Sequence, residues 1–164
     1  MTAPFYANQS TIGVDLNNTN TTAQFSLGQR ISGSGDTLWV YCQMNGAATT
    51  GHICTIGTGG TATPAITGAA LVAANAQIAF AQGAFADADY GWLCQHGNNV
   101  YIRVSGTCSL SQALYIATTS GCLHVTSASS TLGGVAMIAN VSSTATSIAV
   151  LANLTWPRFM NAGQ

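Results

Sequence analysis

Charge is what this sequence has least of. Only 4% of its 164 residues are charged, where roughly a quarter is usual in globular domains. It has no Lys and no Glu, and its formal net charge is −1. A nucleic-acid-binding protein needs clustered Lys and Arg to displace counterions from phosphates, so this composition argues against that class. A nearly uncharged surface also gives little electrostatic protection against association, which suits a chain that works in an assembly.

Long apolar runs and targeting signals are also missing. No run of about 18 apolar residues lacks a polar interruption, so no membrane span is predicted. No basic segment followed by an apolar core opens the chain, so we expect no signal peptide. Synthesis in the cytoplasm with reduced thiols is the resulting expectation, and the five cysteines are an odd number.

The sequence does contain apolar residues at alternate positions, between turns rich in Gly, Ser and Thr. This period of two is typical of β-strands, and the length suits one domain with a sizeable core. Eight to ten such stretches predict an all-β fold, an antiparallel sandwich or barrel with at most one short helix. Thr37–Met44 is apolar on both faces, which predicts a central strand. No repeat longer than a hairpin is predicted.

Residues 84–105 are the stretch around which the pattern is organised, and they predict a β-hairpin. Gly97–Asn99 would form its turn, because Gly and Asn tolerate positive φ. Four residues of this hairpin are expected in the core: Tyr90, Trp92, Val100 and Ile102.

Three divisions of the chain follow from composition. Residues 1–22 are polar and predict an extended arm that becomes ordered on a partner. Residues 23–158 predict a single β domain, in which 57–64 is a loop and the last strand ends at Trp156-Pro157, since proline cannot donate to the ladder. Residues 159–164 form the predicted tail.

Three pairs of Cys and His are separated by one residue, and the first of them is His52 with Cys54. Because residues i and i+2 of a strand share a face, two such strands could offer zinc a tetrahedral site. The first candidate ligands are Cys94, His96, Cys122 and His124. Zinc spacings are usually about two to four residues on loops, and Cys is a common core residue, so we favour buried thiols and expect no metal.

Few residues could support catalysis. The sequence has no nucleophile elbow and no phosphate-binding loop. Cys94 and His96 would point in parallel from one strand, too far apart for a direct hydrogen bond, so we expect neither an enzyme nor a cofactor. The aromatic residues could instead form a sugar platform, which leaves a glycan- or receptor-binding surface module as the alternative function. Aromatics at alternate strand positions are more often core.

The order of several motifs resembles small capsid decoration proteins of tailed bacteriophages, also called cement or head-stabilisation proteins. The likeness covers residues 25–158 and is carried by D-Y-G-W followed by Q-x-G, by L-Y-x-x-x-x-x-G and by a terminal W-P-R. The stretches concerned are DTLWVYCQMNGA, GHICTI, AFADADYGWLCQHG, ALYIATTSGCLH and LTWPR. The resemblance implies a mostly β domain on the outer capsid surface, often a trimer that clamps major capsid subunits, with no catalytic residues. The five Cys, the three His and the N-terminal arm depart from this pattern.

Both ends of the chain are predicted to hold an oligomer or the capsid. A polar arm cannot bury enough apolar area to fold on itself, but its backbone can pair with the sheet edge of a neighbour. We therefore expect a homotrimer in the virion whose partner is the major capsid protein. The candidate anchors are Phe5, Tyr6, Trp156, Arg158 and Phe159.

Overall fold

The structure is a computed structural model that describes residues 14–64, 77–110, 112–117, 121–125, 130–142 and 147–161. Of Ser130 and residues 159–161 only the backbone is described. Phe5 and Tyr6 lie outside the described residues. Within these ranges there is one short 3₁₀ turn, Ser34–Asp36. The strands are β1 (Arg30–Gly33), β2 (Thr37–Met44), β3 (Ile53–Ile56), β4 (Thr61–Pro64), β5 (Gln77–Ala81), β6 (Tyr90–Val104), β7 (Leu114–Ile116), β8 (Leu123–His124), β9 (Ser130–Met137) and β10 (Ile148–Asn161).

The all-β prediction is confirmed. The strands form one sheet in the order β1-β2-β4-β3-β5-β6-β10-β9-β7-β8, and this sheet closes into a barrel. Two further pairings, β2 with β6 and β6 with β8, close the sheet on itself twice. Most pairs are antiparallel, whereas β2–β4 and β6–β8 are parallel. The strand predicted over Thr37–Met44 is β2, and it is central because it bonds to β1, β4 and β6.

Two five-stranded rings share β6. The first ring contains β2, β3, β4, β5 and the first half of β6. The second ring contains the second half of β6 with β7, β8, β9 and β10. The two rings have the same strand connections. With the strands of each ring counted in chain order, the first pairs in parallel with the third and in antiparallel with the fifth. The second ring therefore repeats the topology of the first.

This repeat corrects the prediction that none longer than a hairpin exists. The matching extends to the register between the first and fifth strands of each ring. Tyr41 on β2 pairs with Trp92 on β6, and Tyr101 on β6 pairs with Leu151 on β10. An isolated bridge follows in each ring, Ala48 with Phe85 and Cys108 with Val141. The shared sequence is slight, little more than V-Y-x-x-x-x-G at 40–46 and again at 100–106, because backbone pairing and burial demand only an apolar pattern.

The predicted hairpin over residues 84–105 is wrong, because β6 is one continuous strand. Gly97 and Asn99 do have positive φ, at +139° and +56°. They let β6 change partners rather than reverse: the strand pairs with β2 and β5 before this point and with β10 and β8 after it. The predicted core side chains are buried at Trp92, Val100 and Ile102 and half-buried at Tyr90.

Two more strand boundaries differ from the predictions. Strand β4 lies within the range predicted as a loop, and β10 runs past Pro157 to Asn161. The step from Leu154 to Arg158 on β10 matches a step of only two residues on β9. Such a bulge leaves residues out of the ladder, so proline can be accommodated there without ending the strand.

Each ring has its own apolar interior at matching positions. The interior of the first ring consists of Val40, Cys42, Met44, Ala48, Cys54, Ile56, Ala62, Ala79, Ala81, Phe85 and Leu93. The corresponding residues of the second ring are Val100, Ile102, Val104, Cys108, Leu114, Ile116, Leu123, Val135, Met137, Val141 and Ala152. The outer face of the first ring, with Trp39, Tyr41, Phe80 and Trp92, joins the core cluster of the second ring, so the two rings form one apolar body.

Residues 14–29 cover the outer face of the first ring. Leu16 is buried there, and the ring of Phe25 packs edge-on against Tyr41 at 5.2 Å. The Tyr41 backbone accepts a hydrogen bond from Gly28 N–H and donates one to Gln29 O, both of 2.8 Å. The described part of the predicted arm, residues 14–22, therefore adjoins its own domain instead of extending away from it.

The rings meet where the end of the first packs on Tyr101–Arg103. The Gln82 amide accepts a bond of 2.9 Å from Tyr101 N–H and donates one of 3.0 Å to Tyr101 O. Arg103 N–H donates to Gly51 O at 2.7 Å. Gly51 has φ +86°, and a Cβ on it would lie 2.7 Å from the Ile102 carbonyl carbon, so this close approach requires glycine.

Candidate functional site

Trp156 is the most exposed large apolar side chain in the described ranges, with 58% of its surface accessible. It lies in the bulge of β10 with φ +55°. This left-handed conformation costs a residue with a side chain roughly 1–3 kcal/mol, so the surroundings must hold it. Gly134 on β9 makes room, since a Cβ there would lie 2.5 Å from Thr155 O. Bulges that re-aim a side chain in this way are common beside functional sites.

His96 supports the indole from the side. The two ring centroids are 5.3 Å apart with an angle of 42° between the planes. His96 Nδ1 lies 3.0 Å from the carbonyl oxygen of Asp36, and because a carbonyl only accepts, this nitrogen carries the proton. Trp156 is therefore an exposed but positioned side chain.

An open cleft of about 160 Å³ lies beside Trp156. It is placed at the junction of the two rings, where β6 passes from the first ring to the second. Its lining comes from β1, β5, β6 and β10: Arg30, Gln77, Ile78, Gln95, Trp156 and Pro157. Ligand pockets combine apolar walls with a few placed polar groups, and this cleft has that composition on a small scale.

Gln95 contributes a buried polar atom that has no partner. Its side chain is only 5% exposed, and its Oε1 makes no hydrogen bond. Its Nε2 donates to Gln77 Oε1 at 3.4 Å, and Arg30 Nη2 donates to the same oxygen at 2.7 Å. Since more than nine in ten buried polar groups are bonded in native structures, an unpaired carbonyl oxygen beside a cleft points to a missing donor.

The predicted Cys/His ligands do not assemble into one site. Cys94 and His96 lie on the first-ring half of β6. Cys122 and His124 lie at β8, which meets β6 only at its far end, at Val104. Within the described ranges no group of three His, Cys, Asp or Glu side chains could hold a metal ion.

All five cysteines are buried thiols: Cys42, Cys54, Cys94, Cys108 and Cys122. Burial raises the pKa of Cys42 and of Cys94 to about 12, and it raises the pKa of Cys54 further. The nucleophile and metal ligand is the thiolate, so these three protonated thiols serve as core residues at neutral pH.

A second polar cluster lies at the ring junction. Arg103 Nη1 donates to Ser147 Oγ at 2.8 Å, and Ser147 Oγ lies 3.2 Å from Cys122 Sγ. Burial lowers the pKa of His52 nearby, and the positive charge of Arg103 lowers it further. The ring nitrogens of His52 contact Thr49. The Arg103 side chain therefore fastens β6 to the chain just before β10.

The predicted anchors are only partly placed. Trp156 and Arg158 are both exposed, and of Phe159 the structure describes the backbone alone, so their part in an interface stays a prediction. The cleft residues Arg30, Gln77 and Gln95 were not predicted. The available signal was Gln95 itself, a polar residue that shares a face of β6 with the apolar Leu93.

Comparison of the chain with models of known protein families finds no match, and comparison with curated protein sequences finds none either. No helix in the described part of the chain has the length and apolar character needed to cross a lipid bilayer. Evidence on function therefore comes from the surfaces of the molecule.

Proposed function

We propose that this chain is a structural virion protein that decorates and stabilises the outer surface of a bacteriophage capsid. It clamps neighbouring subunits of the major capsid protein. The motif order described above supports this role, and so does the near absence of charge. A surface of Gly, Ser, Thr and Ala can enter a large permanent interface without the cost of desolvating charged groups.

The observation that carries the proposal is the open outer end of the second ring. Leu110 and Ile138 are 48% and 40% exposed there, and Leu110 N–H donates to Asn140 Oδ1 at 2.9 Å, which fixes this end. The matching end of the first ring, at Thr50 and Gln82, is covered by the second ring. The end that is covered in the first repeat is open and apolar in the second, and an exposed apolar surface of this kind is a typical place for a partner to pack. We call Leu110 and Ile138 the end patch.

The decoration protein is proposed to act as a homotrimer. The chain ends remain the proposed source of its contacts, because residues 1–13 could pair with the sheet edge of a neighbour. Light scattering on the full chain and on a chain lacking residues 1–13 tests this, since the truncation keeps Leu16, which is buried in the domain. A monomeric full chain at micromolar concentration would remove the trimer, and an unchanged trimer in the truncated chain would remove the arm from its interface.

Particles that lack the chain test the main proposal directly. Purified protein added to them should bind at a copy number on the order of that of the major capsid protein, because every symmetric site is filled. Bound particles should withstand higher temperature. A copy number of a few per particle, at a vertex or tail, would instead favour a receptor-binding module, and no binding would overturn the proposal.

Replacement of the end patch sharpens this test. The double variant Leu110→Asp, Ile138→Asp should weaken binding by about 100-fold or more, since it removes two aliphatic contacts and adds two charges that must be desolvated. Leu27→Asp is the matched control, because Leu27 is 39% exposed on the first ring. If both variants bind like the original chain, the end patch is not the docking surface.

A further inference from the structure

We propose that the cleft beside Trp156 is a binding site for a neutral carbohydrate, and that it holds one sugar ring. The inference goes beyond the capsid role and does not depend on it. It rests on three features of the cleft: an acceptor that lacks a donor, a fixed guanidinium and an exposed, positioned indole.

The acceptor in the cleft is set by a chain of hydrogen bonds. Arg30 can only donate, so the Gln77 atom that faces it must be the carbonyl oxygen. That oxygen can accept but not donate, so the Gln95 atom that faces it must be the amide nitrogen. The orientation of Gln95 is thereby fixed, and its unpaired buried atom is an oxygen. A ligand group that reaches this oxygen must bring a donor.

This requirement selects among ligand classes. A sulfate or carboxylate could approach Arg30, but its oxygens only accept and would leave Gln95 Oε1 unpaired. An ammonium group could donate to Gln95, but Arg30 would repel it. An apolar side chain would satisfy neither. A hydroxyl both donates and accepts, so two neighbouring hydroxyls of a sugar can serve Gln95 and Arg30 together.

Trp156 supplies the remaining part of a sugar site. The aliphatic face of a sugar ring needs a flat apolar surface, and the exposed indole lines the cleft together with Ile78 and Pro157. The ring of His96, whose centroid lies 5.3 Å from that of the indole, holds this surface in place before any ligand arrives. The volume of about 160 Å³ lies below the roughly 300 Å³ of a complete small-molecule pocket, so one ring of a longer glycan is the expected occupant.

The experiment titrates the full chain with maltose, cellobiose and N,N′-diacetylchitobiose, and separately with inorganic sulfate. Binding is followed by chemical-shift changes at the indole N–H of Trp156 and at the side-chain amide of Gln95. At least one disaccharide should cause saturable shifts of both groups at concentrations up to roughly 10 mM. Sulfate, which has no donor, should not shift the Gln95 amide.

Two variants separate binding from folding. Trp156→Ala should weaken the sugar affinity by about 10-fold or more, because the stacking surface is lost. Gln95→Met keeps the shape of the side chain and removes the unpaired oxygen, so it should also weaken the affinity by about 10-fold or more. Gln95→Met should leave the melting temperature equal or higher, since a buried unpaired group is removed. Leu110→Ala, at the end patch, is the control and should bind sugar like the original chain.

Three outcomes overturn the proposal. Saturable shifts with sulfate but with none of the three sugars would identify an anion site. Sugar shifts that survive both cleft variants would place the sugar elsewhere. Absence of sugar binding, together with loss of particle binding in Trp156→Ala, would show that the cleft contacts protein. A positive sugar result combined with no particle binding would keep this inference and reject the capsid role.

Discussion

The two rings share one topology and, apart from the pairing of β3 with β5 and of β7 with β9, one register, but they distribute volume differently. In the first ring Ala81 faces Leu93 across β5 and β6, whereas in the second ring Met137 faces Ala152 across β9 and β10. The large and small partners have changed sides at the same cross-strand pair. A close-packed interior constrains the sum of neighbouring volumes more tightly than the identity of each residue, so the two rings retain the same pairing with almost no common sequence.

Their outer ends differ in a second way. The end of the first ring is used inside the chain, where Gln82 bonds to the backbone of Tyr101. At the matching position of the second ring stands Ile138, which is exposed. The polar side chain of Gln82 thus stands where a neighbouring strand is hydrogen-bonded, and the apolar side chain of Ile138 stands where the surface is exposed. The comparison shows how one repeat provides the internal junction and the other a surface for a partner.

The largest expected effect comes from breaking the cross-strand volume match. Leu93→Ala should destabilise the protein by about 2–5 kcal/mol in urea unfolding, because Leu93 is fully buried and a cavity is left in the first ring. Adding Ala81→Met gives this pair the same residues as Met137 and Ala152 in the second ring, so it should recover a substantial part of the lost stability. The coupling free energy between the two substitutions should be about 0.5–3 kcal/mol. Strictly additive losses in the double variant would show that the rings do not share this packing rule.

The junction gives a smaller effect. Gln82→Ala should cost about 1–3 kcal/mol, because both polar groups of the Tyr101 backbone lose their partner. Ile138→Gln is the matched change in the second ring and should stay within about 0.5 kcal/mol, since none of the described strands lies there to be bonded. Calorimetry of both variants tests the contrast, which fails if the two melting temperatures fall equally.

The core thiols give the smallest effect, and it depends on pH. Burial raises the pKa of Cys42 to about 12 from an ordinary value of 9.0. Stability from the protonated thiol is complete below pH 9 and is lost as the pH rises from there toward 12, because only the unfolded chain releases the proton. One unit above the ordinary value, at pH 10, the loss is about 1.4 kcal/mol for this thiol.

Cys42→Val isolates that contribution. Ile102 stands at the matching position of the second ring, so an aliphatic side chain suits this site. Urea unfolding at pH 7 and pH 10 should show a smaller alkaline loss in the variant than in the original chain, by about 1.4 kcal/mol. The difference between the two proteins removes the effect of tyrosines that titrate in the same range. An equal loss in both would mean that the Cys42 thiol does not stay protonated.

The sequence alone was sufficient for the local part of the fold. Apolar residues on both faces of Thr37–Met44 identified a central strand with the correct ends. The spacing of the turns indicated the all-β class and the range of strand number. Scarcity of charge limited the classes of partner. These are properties of residues close together in the chain, for which side-chain periodicity is a direct physical consequence of the extended backbone.

Only the tertiary structure decided what Gly97 and Asn99 do. Their positive φ is compatible with a turn and equally with a change of partners within one strand. Pairing with β5 before this point and with β10 after it selects the second outcome, and those strands are distant in the sequence. The candidate site depends on the same long-range closure. Arg30, Gln95 and Trp156 meet only because β1, β6 and β10 meet, and backbone hydrogen bonds between remote strands leave no local trace in sequence.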